Sequence, residues 1–200
     1  WSYIYTSWAI MGRLGMVSLG HGAFMGIGAY SVVLLWNAYG ISPWLGVVVG
    51  VGLTLAVALL IGYPCFRFRI IGHYFAIVTL ALSEVVRLVI VALRDHTGGS
   101  LGITPKTALS DGASFDLVAM QFADKTVWFY VALGMWLLAL VIWKMADQHP
   151  SRKALQAISE DEDAAASIGI PVSRTKRDVT LLSGGRPAVG GALYAQSRRS

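Results

Sequence analysis

Hydrophobic residues fill several long stretches of this chain. No Lys, Arg, Asp or Glu occurs between Leu14 and Phe66. A helix that crosses a bilayer needs about 20 mostly apolar residues, and the turn-forming residues 40–43 divide this stretch into two such helices. The predicted membrane spans are residues 1–12 (the end of a span), 16–39, 43–64, 70–93, 126–146 and 178–195, the last interrupted by Gly184–Pro187.

The composition supports the same architecture. The chain is 56% hydrophobic and 14% charged, with a mean hydropathy of +0.61, which is far more apolar than an ordinary soluble domain. A large soluble helical core is the alternative, but it gives no reason for uncharged runs of this length. Trp and Tyr also cluster near the ends of the spans, as in membrane-interface belts. The sequence therefore predicts an all-α, polytopic transmembrane helical bundle, with residues 1–200 forming one incomplete domain.

Residues 151–171 differ from the rest because they predict a polar helix with its own start and stop signals. Ser159 and Glu162 have the spacing of a capping box, and the four consecutive acids that begin at Glu160 suit the positive end of a helix dipole. Gly169 suits the left-handed position after a helix, and the proline two residues later prevents its continuation.

The same segment has an apolar face. Its large or small apolar side chains recur at three- and four-residue spacing, which predicts that they lie on one side of the helix: Leu155, Ile158, Ala165 and Ile168. A helix of this kind in a loop between membrane spans indicates a docking site for another molecule.

Positive charge in the short loops predicts the orientation. One side of the membrane receives most of the basic residues: Arg67, Arg69, Lys144, Arg152, Lys153, Arg174, Lys176 and Arg177. The other side receives the uncharged turn at 40–43 and the segment 94–125, where three basic residues are offset by four aspartates. The polar segment 151–171 is therefore predicted to face the cytoplasm.

Four segments resemble one family of transport proteins. The pattern Asp163-Ala164-Ala165-x-x-x-Gly169 is similar to the Glu-Ala-Ala-x-x-x-Gly coupling loop of permease subunits in ATP-binding-cassette importers, with Asp in place of the usual Glu. Residues 18–30, 72–80 and 97–103 are similar to segments of the branched-chain amino acid permeases. The resemblance runs in order from about Met16 to about Tyr194. Members of the family continue with further spans, so the chain is identified as a fragment of such a permease.

The resemblance implies a transport subunit and not an enzyme. It implies a bacterial inner-membrane protein that binds no cofactor of its own. Its implied partners are two cytoplasmic ATPase subunits that bind the ATP, a second homologous permease, a substrate-binding protein outside the membrane, and membrane lipid. The residues that the resemblance places in the ATPase-coupling loop are Glu160, Glu162, Asp163, Ala164, Ala165 and Gly169.

Polar and small residues inside the spans are candidates for a translocation path. Glu84 and Arg87 are three apart on one helix and can neutralise each other; a structural ion pair is favoured over a substrate contact or a proton relay. Gly22 and Gly26 form a Gly-x-x-x-Gly pair that Ser18 extends on the same face, for which helix packing competes with a role in lining the path. For His21, a polar residue with its hydrogen bonds satisfied at the end of a span is favoured over a ligand-binding residue.

The external segment has turn signals at Thr97, Gly98 and Gly99. A solvated loop is the plain interpretation, and contact with the binding protein is what the resemblance implies.

The sequence lacks the motifs of ATP binding, hydrolytic catalysis and metal binding. The sequence has no phosphate-binding loop, nucleophile elbow or His-Glu-x-x-His pair, and its four histidines show no metal-ligand spacing with one another or with Cys65. The formal charge of +5 is explained by membrane topology and anionic head groups and does not require nucleic acid. Two alternatives stay open: a permease of the same family for urea, short amides or other amino acids, and an ion-coupled secondary transporter.

Overall fold

A computed structural model describes residues 2–12, 17–68, 70, 73–106, 115–116, 121–122, 125–148 and 151–197. In chain order the helices are α1 (Ser2–Gly12), α2 (His21–Tyr39), α3 (Pro43–Arg67), α4 (His73–Ala92), α5 (Arg94–Thr97), α6 (Lys125–Gln148), α7 (Ser151–Glu160), α8 (Glu162–Ser167) and α9 (Val172–Ser197). A 3₁₀ turn spans Gly99–Leu101, and two-residue strands β1 (Phe115–Asp116) and β2 (Gln121–Phe122) pair antiparallel. The predicted all-α class is confirmed.

In the part of the chain that the structure describes, four helices are long and apolar enough to cross a membrane: His21–Tyr39, Pro43–Arg67, His73–Ala92 and Thr126–Met145. Three of them lie within the ranges predicted as spans, and Pro43–Arg67 runs three residues past the predicted end at 64. The agreement follows because hydropathy over about 20 residues is a local property of the sequence. That each of them crosses the membrane stays a prediction. Several calls fall outside the described residues, among them Met16, Arg69, Asp111 and Asp124.

Helix α9 lies at the centre of the bundle, packed mainly against α2 and α3 and also against α1. Helix α9 continues through Gly184–Pro187, so the interruption predicted there affects the apolar pattern and not the helix itself. A proline removes one backbone donor and usually kinks a free helix. Here Pro187 is buried between neighbouring helices, which hold the chain in helical form on both sides of it.

The approach of α2 to α9 is very close. A Cβ built on Gly28 would lie 2.2 Å from the carbonyl oxygen of Ala188, and one built on Gly191 would lie 2.0 Å from that of Met25. Backbones can come this near only where a side chain is absent. Gly46 and Gly50 let α3 approach α2 in the same way, since their Cβ positions meet Val32 and Gly28 at 3.0 and 3.3 Å.

At one end of the bundle, a hydrophobic cluster joins the spans to the polar segment. It brings together buried residues of α1, α3, α4, α7, α8 and α9: Met11, Cys65, Phe66, Phe75, Leu155, Ile158, Ala165, Val172 and Val179. Helices α7 and α8 are therefore fixed against the ends of the spans.

Candidate functional site

The polar segment contains two helices and not one. Asp161 separates them, with an extended backbone, and its side-chain oxygen accepts hydrogen bonds from the amides of Asp163 (2.9 Å) and Ala164 (3.0 Å). Asp161 is thus the N-cap of α8. The prediction that Ser159 caps this helix is wrong: Ser159 lies in α7, and its hydroxyl donates to the carbonyl of Gln156. Glu160 likewise ends α7 and is not in the first turn of α8.

The predicted end of the helix is confirmed at Gly169. Its φ is +88°, in the left-handed region. The amide of Gly169 donates to Ala166 O (3.0 Å), and the amide of Ile170 donates to Ala165 O (3.1 Å). These two bonds form a Schellman motif, which satisfies carbonyls that the helix end leaves open.

The two sides of α8 have different surroundings. Ala165 is only 2% exposed and belongs to the hydrophobic cluster, whereas Ala164 is exposed to solvent and Ile168 is 74% exposed. The expectation that Ala165 faces a partner is therefore corrected, as is the expectation that Ile168 shares its face. Ile168 turns away because α8 ends at Ser167, so helical spacing no longer applies beyond that point.

An ion pair ties α8 to α9. The Glu162 carboxylate accepts a hydrogen bond from Lys176 Nζ at 2.5 Å, and Lys176 is 2% exposed. The ammonium group lies 6.0 Å from the centre of the Phe66 ring, within reach of a cation–π interaction. Lys176 thus has a buried charge with a paired partner, and Glu162, which the sequence placed in a capping box, serves instead as that partner.

A groove of about 490 Å³ lies between α2, α4 and the 3₁₀ turn. It brings together several residues that the sequence singled out separately, along with residues it did not: Gly22, Ala23, Gly26, Tyr30, Ser83, Val86, Arg87, Ile90, Val91, Gly99 and Ser100. No described residue comes within 4 Å of a Cβ built at Gly22 or Gly26. Within this chain, therefore, the two glycines line a groove and do not pack against a helix.

The Glu84–Arg87 ion pair is present. Arg87 Nε donates to both carboxylate oxygens of Glu84, at 3.1 and 2.9 Å, and Nη2 donates to Oε1 at 2.5 Å. The two side chains are 55% and 61% exposed, so the pair lies on the surface of the described bundle. Arg87 is the one member of the pair that lines the groove.

Ser18 and His21 are buried at the start of α2 and do not line this groove. The carbonyl of Ser18 accepts a hydrogen bond from the Trp8 indole at 2.9 Å. The His21 ring lies edge-on to Phe24, with centroids 6.1 Å apart. Neither ring nitrogen of His21 has a hydrogen-bond partner of good geometry among the described residues, so the prediction of a satisfied polar residue is not confirmed.

Thr97, the last residue of α5, stabilises the turn that follows this helix. Its hydroxyl contacts the carbonyls of Ile90 (2.6 Å) and Leu93 (3.0 Å) and accepts from the amide of Gly99 at 3.2 Å. Gly98 and Gly99 both have a positive φ. Thr97 and Gly99 are buried, while Leu101 is 96% exposed at the tip. The sequence missed Leu101 because an exposed apolar residue in a loop has no pattern of its own.

Among the described residues, four helices suited to a membrane, an open groove between two of them and an anchored polar loop at one end are the features of a multi-pass membrane protein. The model of the family described as "Branched-chain amino acid transport system / permease component" matches residues 6–200, so the chain belongs to that family. The resemblance found in the sequence is thereby confirmed.

Two curated relatives have the same printed name, high-affinity branched-chain amino acid transport system permease protein LivM. The protein from Escherichia coli (strain K12) is 31% identical over 204 residues, and that from Salmonella typhimurium (strain LT2) is 32% identical over 203 residues. Each alignment covers 93% of this chain and 47% of the relative. The chain thus spans about half the length of the curated relatives it matches. No solved structure gives a significant match.

Proposed function

We propose that this chain is part of the permease subunit of an ATP-binding-cassette importer that moves branched-chain amino acids across the bacterial inner membrane. The family description and the printed names of both relatives support the transport of branched-chain amino acids. ATP hydrolysis belongs to two separate cytoplasmic subunits in this proposal, and a second homologous permease and an external binding protein complete the importer.

The arrangement of α8 is the observation on which the proposal depends. A helix of six residues is too short to be stable alone. Here it is capped at both ends, anchored through Ala165 and linked to α9 by the Glu162–Lys176 ion pair. Its opposite side has small or exposed residues, Ala164 and Ile168 among them. A short helix that is rigid on its own side and open on the other suits docking into a groove of a cytoplasmic ATPase.

We assign the groove beside Arg87 to the translocation path. Its walls combine small residues of α2 with the guanidinium of Arg87 and the hydroxyls of Tyr30 and Ser83. Ionisable residues at membrane depth usually mark substrate pathways or water-filled cavities. A groove with both polar and apolar lining suits a substrate with a charged end and an aliphatic side chain.

The two alternatives differ from the proposal in testable ways. A permease for urea or short amides would use the same loop and partners but would not transport leucine. An ion-coupled transporter would have no use for a capped helix whose exposed side awaits a partner. Uptake of labelled leucine and urea by vesicles that contain the full-length permease, with and without its ATPases, distinguishes all three.

Ala164→Arg and Gly169→Val test the docking role of α8 in the full-length importer. The first places a long charged side chain on the docking side, and the second places a β-branched residue at φ +88°, where a Cβ is strained. Each should weaken ATPase association about tenfold or more, equivalent to about 1.4 kcal/mol. The measurement is a pull-down of the ATPases normalised to membrane-inserted permease.

Two matched variants control this experiment. Ser159→Arg adds the same charge to an exposed position of α7, and Gly134→Val adds the same side chain within α6, at a position with nothing within 4 Å. Both should bind the ATPases normally. If Ala164→Arg and Gly169→Val bind as well as these controls, α8 is not the docking element, and the proposed coupling is wrong.

A further inference from the structure

A second cleft, of about 290 Å³, lies between the end of α3 and the beginning of α9. Three arginines surround its mouth: Arg67, Arg174 and Arg177. Its inner wall is made by buried small and aromatic residues, including Ala58, Gly62 and Phe66. The cleft therefore has a basic mouth and an apolar interior.

Among the described residues the arginines have few compensating partners, although Asp163 lines an adjoining groove together with Arg67 and Arg174. Arg67 and Arg174 form no hydrogen bond or ion pair with any described residue, and Arg177 has only a long contact of 3.4 Å with Asp178 on the exposed surface. The nearby carboxylate of Glu162 is paired with Lys176. Positive potential at the mouth is thus available for an external anion.

The location of the cleft points to the membrane surface. Arg67 is the last residue of α3, one of the helices suited to crossing a membrane. Tyr63 and Leu59, one and two turns earlier, line the same cleft and are exposed on the side of the helix. Exposed Tyr is typical of the bilayer interface, and basic pockets between membrane helices are known to bind lipid head groups.

We propose that this cleft binds an anionic glycerophospholipid. Its phosphodiester lies among Arg67, Arg174 and Arg177, and an acyl chain lies along Leu59 and Tyr63. An acidic side chain of a partner protein would match the arginines, but it would leave the apolar wall exposed at membrane depth. The proposal goes beyond the transport function, since it requires only that this end of α3 lie at a membrane surface.

Native mass spectrometry of the full-length permease in detergent tests the proposal. Phosphatidylglycerol and phosphatidylcholine with identical acyl chains are titrated separately. We expect phosphatidylglycerol to bind more tightly, and Arg174→Gln and Arg177→Gln each to weaken it about fivefold, the contribution of one basic residue near a membrane surface. Arg174→Lys and Arg177→Lys should retain binding because they keep the charge.

Lys153→Gln is the matched control, since it removes one exposed charge from α7 at the same end of the molecule but outside the cleft. It should leave phosphatidylglycerol binding unchanged. Leu59→Trp provides a variant without a change of charge, because the larger side chain fills the apolar part of the cleft. It should weaken the binding of phosphatidylglycerol and reduce the preference of the protein for this lipid over phosphatidylcholine.

Further outcomes would overturn the proposal. Equal binding of both lipids, or equal weakening by Lys153→Gln, would mean that no specific lipid site exists. Displacement of phosphatidylglycerol by millimolar inorganic phosphate would mean that the site recognises a free anion. If the arginine variants keep the lipid but lose the ATPases, the cleft is a protein contact.

Discussion

Arg186 is a cation in the interior of the bundle. It is 8% exposed, its Nη2 donates to Ala139 O at 2.8 Å, and its guanidinium lies 5.8 Å from the Tyr3 ring. Among the described residues, Nε and Nη1 have no hydrogen-bond partner of good geometry, Tyr3 is the neighbouring polar side chain, and no carboxylate forms an ion pair with the guanidinium. Burying a charge without full compensation costs stability.

Replacing Arg186 by Met should therefore stabilise the protein. Met has a similar length and no charge to desolvate, so we expect the free energy of unfolding to rise by about 1 kcal/mol or more. The measurement is the thermal unfolding midpoint of the full-length permease in detergent.

Lys144→Met controls for the loss of a positive charge, because Lys144 is exposed on α6. Its unfolding midpoint should change little, as is usual for surface substitutions. A clear fall in the midpoint for Arg186→Met would show that the guanidinium has a stabilising partner in the full-length protein.

At the scale of elements, contact between α2 and α9 depends on particular glycines. Gly28 and Gly191 face the backbone of the opposite helix, where any Cβ would overlap a carbonyl oxygen. Gly22 and Gly26, on the same helix as Gly28, instead face the open groove. Identical residues a few positions apart thus have different roles, which the Gly-x-x-x-Gly spacing could not distinguish.

Gly28→Ala should therefore destabilise the bundle strongly, whereas Gly22→Ala and Gly26→Ala should not. Overpacking of this kind costs about 1–3 kcal/mol, while Ala in an open helical position is slightly favourable. Unfolding of the three full-length variants in a mild denaturing detergent compares them directly. Equal stability of all three would show that α2 and α9 are farther apart than the structure places them.

The sequence predicted α2, α3, α4 and α6 well because each has a mostly apolar stretch of about 20 residues. It did not show that α9 is one continuous helix, because the polar residues there are covered by tertiary contacts, which local hydropathy does not report. It also misplaced the start of α8, since Ser159 and Asp161 are both good N-cap residues. The choice between them depends on Glu162 reaching Lys176, fourteen positions away along the chain.

At the scale of the whole molecule, the two ends of the bundle have different surroundings. One end holds Arg67, α7 and α8, fixed by the hydrophobic cluster. At the other end, Asn37 and Trp36 of α2 bond to the backbone of Thr104 and Lys106. Residues that charge assigned to one side of the membrane thus lie at one end of the structure, which supports the predicted orientation.

Cysteine labelling in intact cells tests this orientation. In full-length permease with Cys65 replaced by Ser, we expect an impermeant thiol reagent to label Leu101→Cys and not Ser159→Cys. Both positions are exposed, so accessibility within the fold does not bias the result. Permeabilised cells should label both. The opposite pattern in intact cells would place α8 outside and remove its proposed contact with the ATPases.

The polar interior of α9 has a consequence for how the protein is made. With Arg186, Ser183 and Thr180 along its length, this helix is a poor candidate to enter lipid by itself. The helices that contact those residues, α1, α3 and α6, precede it in the chain and leave the ribosome first. When α9 emerges, the surfaces that receive it already exist, so its insertion depends on their earlier assembly and not on its own hydropathy.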